Sequence, residues 1–103
     1  MSQVDDVLAA LADPMRRRVL DLVAAKGPVS ASTLAGELPV SRQAIVKHLV
    51  VLEKAELVAS VRAGRENNFS VRSGALDATA TWMSSLASQW DQRLAAIKKL
   101  AES

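Results

Sequence analysis

The sequence has no cysteine, no tyrosine, two tryptophans and one phenylalanine, and each shortage narrows what the chain can be. Without cysteine there is no disulfide framework and no thiolate metal site. No apolar stretch approaches the roughly 18 residues of a membrane span, and the N-terminus lacks the pattern of a signal peptide. We therefore expect an aliphatic core and a soluble, cytoplasmic protein that has no membrane partner.

Length and charge suggest one domain with a local basic region. A chain of 103 residues, half of them hydrophobic, is long enough for a single core, so we treat residues 1–103 as one domain. The net charge of +2 decides little, but residues 41–72 carry six basic and three acidic side chains. A local positive field of this kind suits a polyanionic partner, although a difference of this size can also arise by chance.

Apolar spacing and capping residues predict two helices at the start of the chain. The apolar residues of the first helix recur at helical spacing, and they are Val4, Val7, Leu8 and Leu11. Asp13 and Pro14 can begin a second helix that runs to Lys26, where Gly27 and Pro28 end it.

The next two predicted helices are joined by a tight turn. Ser30 can cap a short helix that extends through Leu38, and Pro39 ends it. Ser41 can cap a fourth helix, which runs to about Ala55. Two short helices joined in this way predict a helix-turn-helix, whose second helix lies in the DNA major groove.

The periodicity changes after Leu57. Residues 57–62 and 67–72 are short and strand-like, and Gly64 lies between them, which predicts a β-hairpin with a basic tip. A final helix runs from about Gly74 to Leu100. The predicted fold is therefore mainly α with one small β-hairpin: four helices, two strands and a fifth helix, in a winged helix-turn-helix.

The fourth helix has two different faces. Ile45, Leu49 and Leu52 form an apolar stripe, whereas Gln43 and Lys47 lie roughly opposite. Gln can read adenine, and Arg and Lys can bind guanine edges and phosphates. The candidate DNA-binding residues of this helix are Ser41, Arg42, Gln43, Val46 and Lys47. The alternative is an ordinary solvated face, but exposed Val46 and Val50 fit it poorly and could contact a thymine methyl.

The predicted hairpin tip carries Arg62 and Arg65, one on each side of Gly64. Next to a recognition helix, such a tip can contact backbone phosphates or the minor groove. The alternative is an ordinary charged turn. We expect these arginines to contribute affinity and little sequence preference.

The apolar stripes of the first and last helices predict a homodimer. A last helix of roughly 25 residues, near 40 Å long, extends beyond a compact domain of this size. Its apolar stripe therefore stays partly exposed to solvent unless a second chain covers it. A symmetric dimer would present two recognition helices to a palindromic site. The candidate interface residues are Val4, Val7, Leu11, Trp82, Leu86, Trp90, Leu94 and Ile97.

The remaining polar residues do not form a catalytic or metal site. His48, the only histidine, has no His or Cys at helical spacing, and we expect it to be packed and hydrogen-bonded. Ser41 is already a helix cap, so no nucleophile faces a base. Arg16, Arg17 and Arg18 point in three directions, which favours surface roles and ion pairs with Asp13 or Asp21. We expect neither an enzyme nor a cofactor.

Three segments together resemble the arsenic-repressor (ArsR/SmtB) family of bacterial winged-helix transcription regulators. "ALADPMRRRVLDLV", "SRQAIVKHLVVLEKAELV" and "RAGRENNF" are similar, in order and spacing, to its second helix, recognition helix and wing. The resemblance covers nearly the whole chain. It implies a homodimeric repressor of transcription, sometimes autoregulatory, whose partner is double-stranded DNA. It also implies that Ser41, Arg42, Gln43, Val46, Lys47 and Arg65 contact that DNA.

The sequence departs from the family pattern at three places. Pro28 and Ser30 stand where metal sensors carry cysteines near the third helix. The last helix, as far as Leu100, has no histidine and only Asp77 and Asp91 as acids. The chain therefore resembles a branch that does not sense metal. Glu56 stands where the family usually has Gly, so either a left-handed Glu costs about 1 kcal/mol or the turn is made differently.

Two other functions stay open at this point. Val46 and Val50 on the outer face of the fourth helix would also suit a winged-helix module that binds a protein. A repressor that responds to a small ligand or a metal is a variant of the main hypothesis, and the sequence does not identify an inducer.

Overall fold

The computed structural model describes residues 2–102, and within them it contains five helices and a three-stranded antiparallel sheet. In chain order the elements are α1 (Gln3–Leu11), α2 (Pro14–Lys26), β1 (Val29–Ser30), α3 (Ala31–Ala35), α4 (Arg42–Lys54), β2 (Val58–Ala63), β3 (Glu66–Val71) and α5 (Gly74–Glu102). The strands lie in the order β1-β3-β2. This arrangement confirms the mainly helical winged helix-turn-helix fold. None of the described helices has the combination of length and apolar character needed to cross a bilayer.

The predicted helix caps are confirmed by hydrogen bonds to side-chain oxygens. Asp13 Oδ1 accepts from the backbone N–H groups of Met15 and Arg16 at 2.8 and 3.2 Å. Ser30 and Ser41 each accept from the N–H three residues later, at 3.2 and 3.1 Å. These bonds satisfy N–H groups that have no partner inside the helix, and so they fix where α2, α3 and α4 begin.

The third helix is shorter than the sequence predicts. It ends at Ala35, and Leu38 lies in the following turn, not in the helix. The N–H groups of Gly36 and Glu37 bond to carbonyls three residues earlier, which tightens the chain and stops α-helical bonding. Leu38 is nevertheless buried, because the turn carries it back into the core.

The first strand was not predicted. Val29 pairs with Phe69 and Ser30 pairs with Asn68, so β1 adds a short third strand to the hairpin. A strand of two residues has no alternation for sequence analysis to detect. Its effect is to attach the middle of β3 to the segment that leads into α3.

The hairpin turn is tighter than the sequence suggested. Ala63 pairs with Glu66, so the loop contains only Gly64 and Arg65. Gly64 has φ +63°, whereas Arg65 is not among the residues with positive φ. Positive φ at the first loop residue alone is the type II′ pattern, which matches the twist of hairpin strands and favours glycine there.

Helix α4 is followed by a turn that contains a left-handed glutamate. Glu56 has φ +62°, and the N–H of Leu57 donates to the carbonyl of Leu52 at 2.9 Å, as in a Schellman motif. Of the two alternatives that the sequence left open, the structure therefore has the left-handed glutamate. Gln3 Nε2 donates to Glu56 Oε2 at 2.7 Å, which links the start of α1 to this turn.

One aliphatic core is formed by helices α1, α2, α3 and α4, by the sheet and by the start of α5. Its largest fully buried side chains are Leu34, Ile45, Leu49, Leu52, Leu57, Val7, Val19, Val23 and Val58. Ile45, Leu49 and Leu52 form the inner stripe of α4, so the core fixes how this helix is rotated about its axis. The opposite face of α4 is consequently presented to the outside.

The last helix extends well beyond this core. It has 29 residues, about 44 Å at 1.5 Å per residue, and every residue from Ala80 to Glu102 is exposed. The chain measures 68 × 25 × 24 Å, with a radius of gyration of 18.3 Å. A compact domain of this length has a radius near 13 Å. The projecting helix accounts for the difference.

Candidate nucleic-acid interface

The outer face of α4 is polar and free of the protein interior. Gln43 and Lys47 are exposed, and neither side chain makes a hydrogen bond or ion pair with any other residue in the range 2–102. Ser41 is exposed too, but its hydroxyl is engaged as the cap of α4. Gln43 and Lys47 can therefore reach another molecule without first breaking a contact in the protein.

Two valines share this outer face. Val46 is 37% exposed and Val50 is 47% exposed, although both belong to a helix whose opposite side is packed. Apolar side chains between Gln and Lys suit a surface that meets both polar base edges and thymine methyl groups. The same two side chains would also suit a protein partner, so exposure alone does not separate the two.

Arg42 is held by the preceding helix. Its Nε donates to Ser32 Oγ at 3.0 Å, which turns the guanidinium towards α3 and away from the outer face of α4. Sequence reasoning did not single out Ser32, because a contact ten residues away depends on how the helix-turn-helix closes. Arg42 is thus exposed but separated from Gln43 and Lys47.

The hairpin, which we call the wing (Val58–Val71), carries its two arginines on exposed positions. Arg62 lies in β2, and its Nε donates to the Gly64 carbonyl at 3.0 Å, so the side chain folds along the turn. Arg65 lies in the turn itself and is exposed. Both charges are therefore present at the wing tip, as the sequence suggested.

A pocket of about 320 Å³ lies between α4 and the wing. The three arginines that sequence analysis assigned separately to the recognition helix and the hairpin, Arg42, Arg62 and Arg65, all line it. We call this the arginine pocket. Phe69 and Val46 contribute apolar surface, and Glu66 is an acid in the lining.

The arginines of α2 have structural partners. Arg16 donates to the Ala10 carbonyl at 2.7 Å and lies 3.7 Å from the Asp13 carboxylate, and Arg17 donates to the Leu11 carbonyl. Positive charge at these carbonyls stabilises the C-terminal end of α1. The predicted ion pair with Asp13 is present.

Asp13 is ionised more readily than a free aspartate. The backbone N–H of Arg16 holds the pKa of Asp13 below its usual value, and burial opposes this effect. The N–H of Met15 and the charges of Arg16 and His48 lower the pKa further. His48 itself is half-buried, and within residues 2–102 its side chain makes no hydrogen bond, so the prediction of a hydrogen-bonded histidine was wrong.

The described part of the chain holds no group of three or more His, Cys, Asp or Glu side chains arranged to bind a metal ion. His48 therefore stands without companion ligands inside residues 2–102.

A second exposed surface runs along α5. Trp90, Leu94 and Ile97 are 53%, 59% and 63% exposed, and Trp82 and Leu86 continue the stripe towards the core. Val4 and Leu11 of α1 are partly buried. Val7 is different: it is fully buried in the chain's own core, so it cannot face a second chain. Its helical position between Val4 and Leu11 suggested the interface, but the face of α1 at Val7 packs inward.

Comparison with known proteins gives the same family from sequence and from structure. A family model described as a helix-turn-helix domain matches residues 11–61. The chain is 30% identical over 91 residues to the transcriptional repressor SdpR of Bacillus subtilis, covering 88% of this chain and 100% of SdpR.

Solved structures are similar over most of their length. An ArsR-like transcriptional regulator from Rhodococcus sp. RHA1 has a TM-score of 0.85 and 44% identity, covering 98% of this chain and 94% of that one. The homodimeric winged helix-turn-helix DNA-binding domain of Mb0332 from Mycobacterium bovis has a TM-score of 0.64 and 25% identity, covering 89% of this chain and 82% of that one. The chain therefore belongs to the ArsR family of winged helix-turn-helix regulators, which bind DNA to control transcription and are not enzymes.

Proposed function

We propose that the protein is a homodimeric repressor that binds a palindromic DNA operator. The observation that carries this proposal is the uncovered apolar stripe of α5, which projects beyond the core of a single chain. Exposed tryptophan, leucine and isoleucine side chains in one contiguous stripe are unfavourable in water, and a second copy of the same stripe would cover them. The homodimeric state of the Mb0332 domain supports the same arrangement here.

A two-fold dimer determines the kind of DNA site. Two recognition helices related by symmetry read two copies of one half-site in opposite directions, about 34–36 Å apart. The operator would then be an inverted repeat whose half-site centres are one helical turn apart. Repression would follow if the bound dimer occupies the promoter and excludes RNA polymerase, and the name of the relative SdpR supports this direction of control.

The proposed contacts divide by what each residue can read. Gln43 reads a base edge, Val46 contacts a thymine methyl, and Lys47 binds a guanine edge or a phosphate. Arg62 and Arg65 bind DNA phosphates near the wing. Ser41 lies where the start of α4 would meet the sugar-phosphate backbone of the DNA. Arg42 is held by Ser32 and lines the arginine pocket.

One experiment tests both partner and symmetry. The purified protein is mixed with random duplex DNA, and bound fragments are selected and sequenced over several rounds, while analytical ultracentrifugation measures its mass. We expect an inverted repeat and a mass of twice the single chain. A selected site without two-fold symmetry, or a monomer at micromolar concentration, would contradict the proposal.

Val46 and Val50 support the second candidate, a module that binds a protein through the outer face of α4. Salt dependence separates the two, because DNA binding releases counterions and weakens steeply as salt increases. Metal control is tested by adding zinc or copper during a DNA titration, in which we expect no change in affinity. An affinity that changes with metal would establish a sensor.

A further inference from the structure

Arg42, Arg62 and Arg65 line one pocket without a carboxylate partner. Of the ion pairs among residues 2–102, none includes any of these three guanidinium groups. Glu66 also lines the pocket, so the lining carries more positive than negative charge. Three unpaired guanidinium groups around one partly open pocket favour an anion with several acceptor oxygens, and phosphate is the natural class.

Two of the arginines are oriented in advance. Arg42 donates its Nε to Ser32 Oγ, and Arg62 donates its Nε to the Gly64 carbonyl, both at 3.0 Å. In each case the terminal nitrogens are left without a protein partner among the described residues. A guanidinium held through Nε loses less freedom when it binds, so its remaining donors can engage oxygen atoms at a smaller entropic cost.

The location of the pocket identifies the source of the phosphate. The pocket opens between α4, which the proposed function puts in the major groove, and the wing, which reaches the neighbouring minor groove. In any duplex, adjacent major and minor grooves are separated by one sugar-phosphate strand. A protein that occupies both grooves must straddle that strand, and here the arginine pocket lies at the crossing.

We infer that the arginine pocket binds one backbone phosphate of the operator in each half-site. Arg42 is then a phosphate ligand and not a base reader, and Ser32 is the positioning residue that orients it. A volume of about 320 Å³ accommodates a phosphodiester group with part of the adjoining sugar. This inference rests on the proposed function, and it changes the role that the sequence suggested for Arg42.

The decisive measurement removes single charges from the DNA. On the selected operator, each phosphate in turn is replaced by an uncharged methylphosphonate linkage, and affinity is measured for the wild type and for Arg42→Ala. We expect one linkage per half-site at which the wild type loses about tenfold in affinity. At that linkage Arg42→Ala should lose clearly less than the wild type, because only the contacts of Arg62 and Arg65 remain to be lost.

Affinity and salt dependence provide a second readout. Arg42→Ala should weaken binding by about tenfold on the operator and by the same factor on scrambled DNA. It should also reduce the slope of log affinity against log salt concentration by about one. Arg18→Ala is the matched control, since it removes the same charge from an exposed site on α2 that lines a different pocket. Circular dichroism checks that each variant is folded.

The role of Ser32 is tested by a double-mutant cycle. Ser32→Ala should weaken operator binding about threefold in the wild-type background and not at all in the Arg42→Ala background. Ser32→Thr keeps the hydroxyl and should retain wild-type affinity. A loss from Ser32→Ala that persists without Arg42 would overturn the positioning role.

The outcomes separate this inference from the proposed function. If the wild type binds an inverted repeat and Gln43→Ala relaxes its preference, the proposed function stands. The phosphate inference is overturned if Arg42→Ala relaxes preference at one base pair, or stays as sensitive as the wild type to every methylphosphonate. If the wild type does not bind DNA, both fail together.

Discussion

Gln43 and Lys47 occupy the same face of α4, but their side chains can contribute differently to DNA binding. An amide can form two hydrogen bonds with adenine, whereas an ammonium group attracts any nearby phosphate or guanine edge. We predict that Gln43→Ala removes about 1–3 kcal/mol of discrimination at one base pair of each half-site. Lys47→Ala and Arg65→Ala should weaken binding to all sequences.

Gel-shift titrations on the selected operator, its single-base variants and scrambled DNA measure these effects. Gln92→Ala, on an exposed position of α5, is a matched control for loss of a glutamine side chain. Equal losses on operator and scrambled DNA for Gln43→Ala would refute base readout by this residue.

Asp13 gives a prediction about pH at a single residue. Because the N–H of Arg16 lowers the pKa of Asp13 in the folded chain, the ionised carboxylate stabilises the native state. This stabilisation is present above the pKa of the unfolded chain and is lost as the pH falls through the lower, folded pKa. We predict that Asp13→Asn, which keeps a capping oxygen but not the charge, lowers the melting temperature at neutral pH.

The difference between Asp13→Asn and the wild type should shrink as the pH falls into the acid range, where the wild-type carboxyl also becomes neutral. This difference in melting temperature is measured by thermal unfolding at several pH values, with circular dichroism as the signal. Asp21→Asn is the control, since Asp21 is an exposed carboxylate of the same helix. A difference that stays constant with pH would mean that charge is not the origin of the effect.

The end of α4 shows how one helix tolerates an unfavourable residue. Glu56 adopts the left-handed conformation that the turn requires, and a residue with a Cβ pays about 1 kcal/mol for it. We predict that Glu56→Gly raises the free energy of unfolding by up to about 1 kcal/mol, measured by urea denaturation. The gain is reduced by loss of the hydrogen bond from Gln3.

Glu56→Ala separates these two contributions. Alanine keeps the strained φ and loses the bond to Gln3, so this variant should be no more stable than the wild type. If alanine and glycine stabilise the chain equally, the strain at Glu56 is not the cause.

The elements that could be predicted from sequence are those whose signals are local. Asp13, Ser30 and Ser41 cap the helices that follow them, since a cap bonds to N–H groups only two or three residues away. The strand β1 and the contact of Arg42 with Ser32 could not be read in this way. Both depend on pairing across the folded chain, and neither leaves a periodic pattern.

At the scale of the whole molecule, two surfaces with different chemistry lie on one elongated chain. The outer face of α4 and the arginine pocket combine basic side chains with a few apolar ones, whereas the stripe along α5 is mainly apolar. The apolar stripe of α5 was predictable from its helical spacing. Which apolar residues of α1 face the core and which stay partly exposed was not predictable. Val7 faces the chain's own core while Val4 and Leu11 stay partly exposed, which only the packing of α1 against its neighbours decides.

The hydrogen bond between Gln3 and Glu56 links the start of α1 to the turn that follows α4. Gln3 begins α1, which we propose to lie at the dimer interface, and Glu56 follows the recognition helix directly. In the proposed dimer, this bond would let α1 as well as α5 contribute to the separation between the two recognition helices. A dimer held in this way would favour one half-site spacing over others.

The apolar stripe on α5 should hold the proposed dimer together. Trp90 lies at the middle of this stripe, 53% exposed, with the Arg93 guanidinium carbon 5.2 Å from its ring centroid. We predict that Trp90→Glu yields a monomer, because the interface would then have to bury a carboxylate in place of an apolar ring, and an ion pair with Arg93 does not offset the cost of removing both charges from water. Operator affinity should then fall by about 10² or more, since each half-site would be bound independently.

Analytical ultracentrifugation and gel shifts on the full operator and on an isolated half-site measure the two effects together. Gln92→Glu adds the same charge two residues away, roughly opposite Trp90 around the helix, and should leave the dimer intact. If Trp90→Glu remains dimeric, α5 does not hold the dimer through this stripe. If it is monomeric but binds the full operator as tightly as the wild type, the two recognition helices do not act together on DNA.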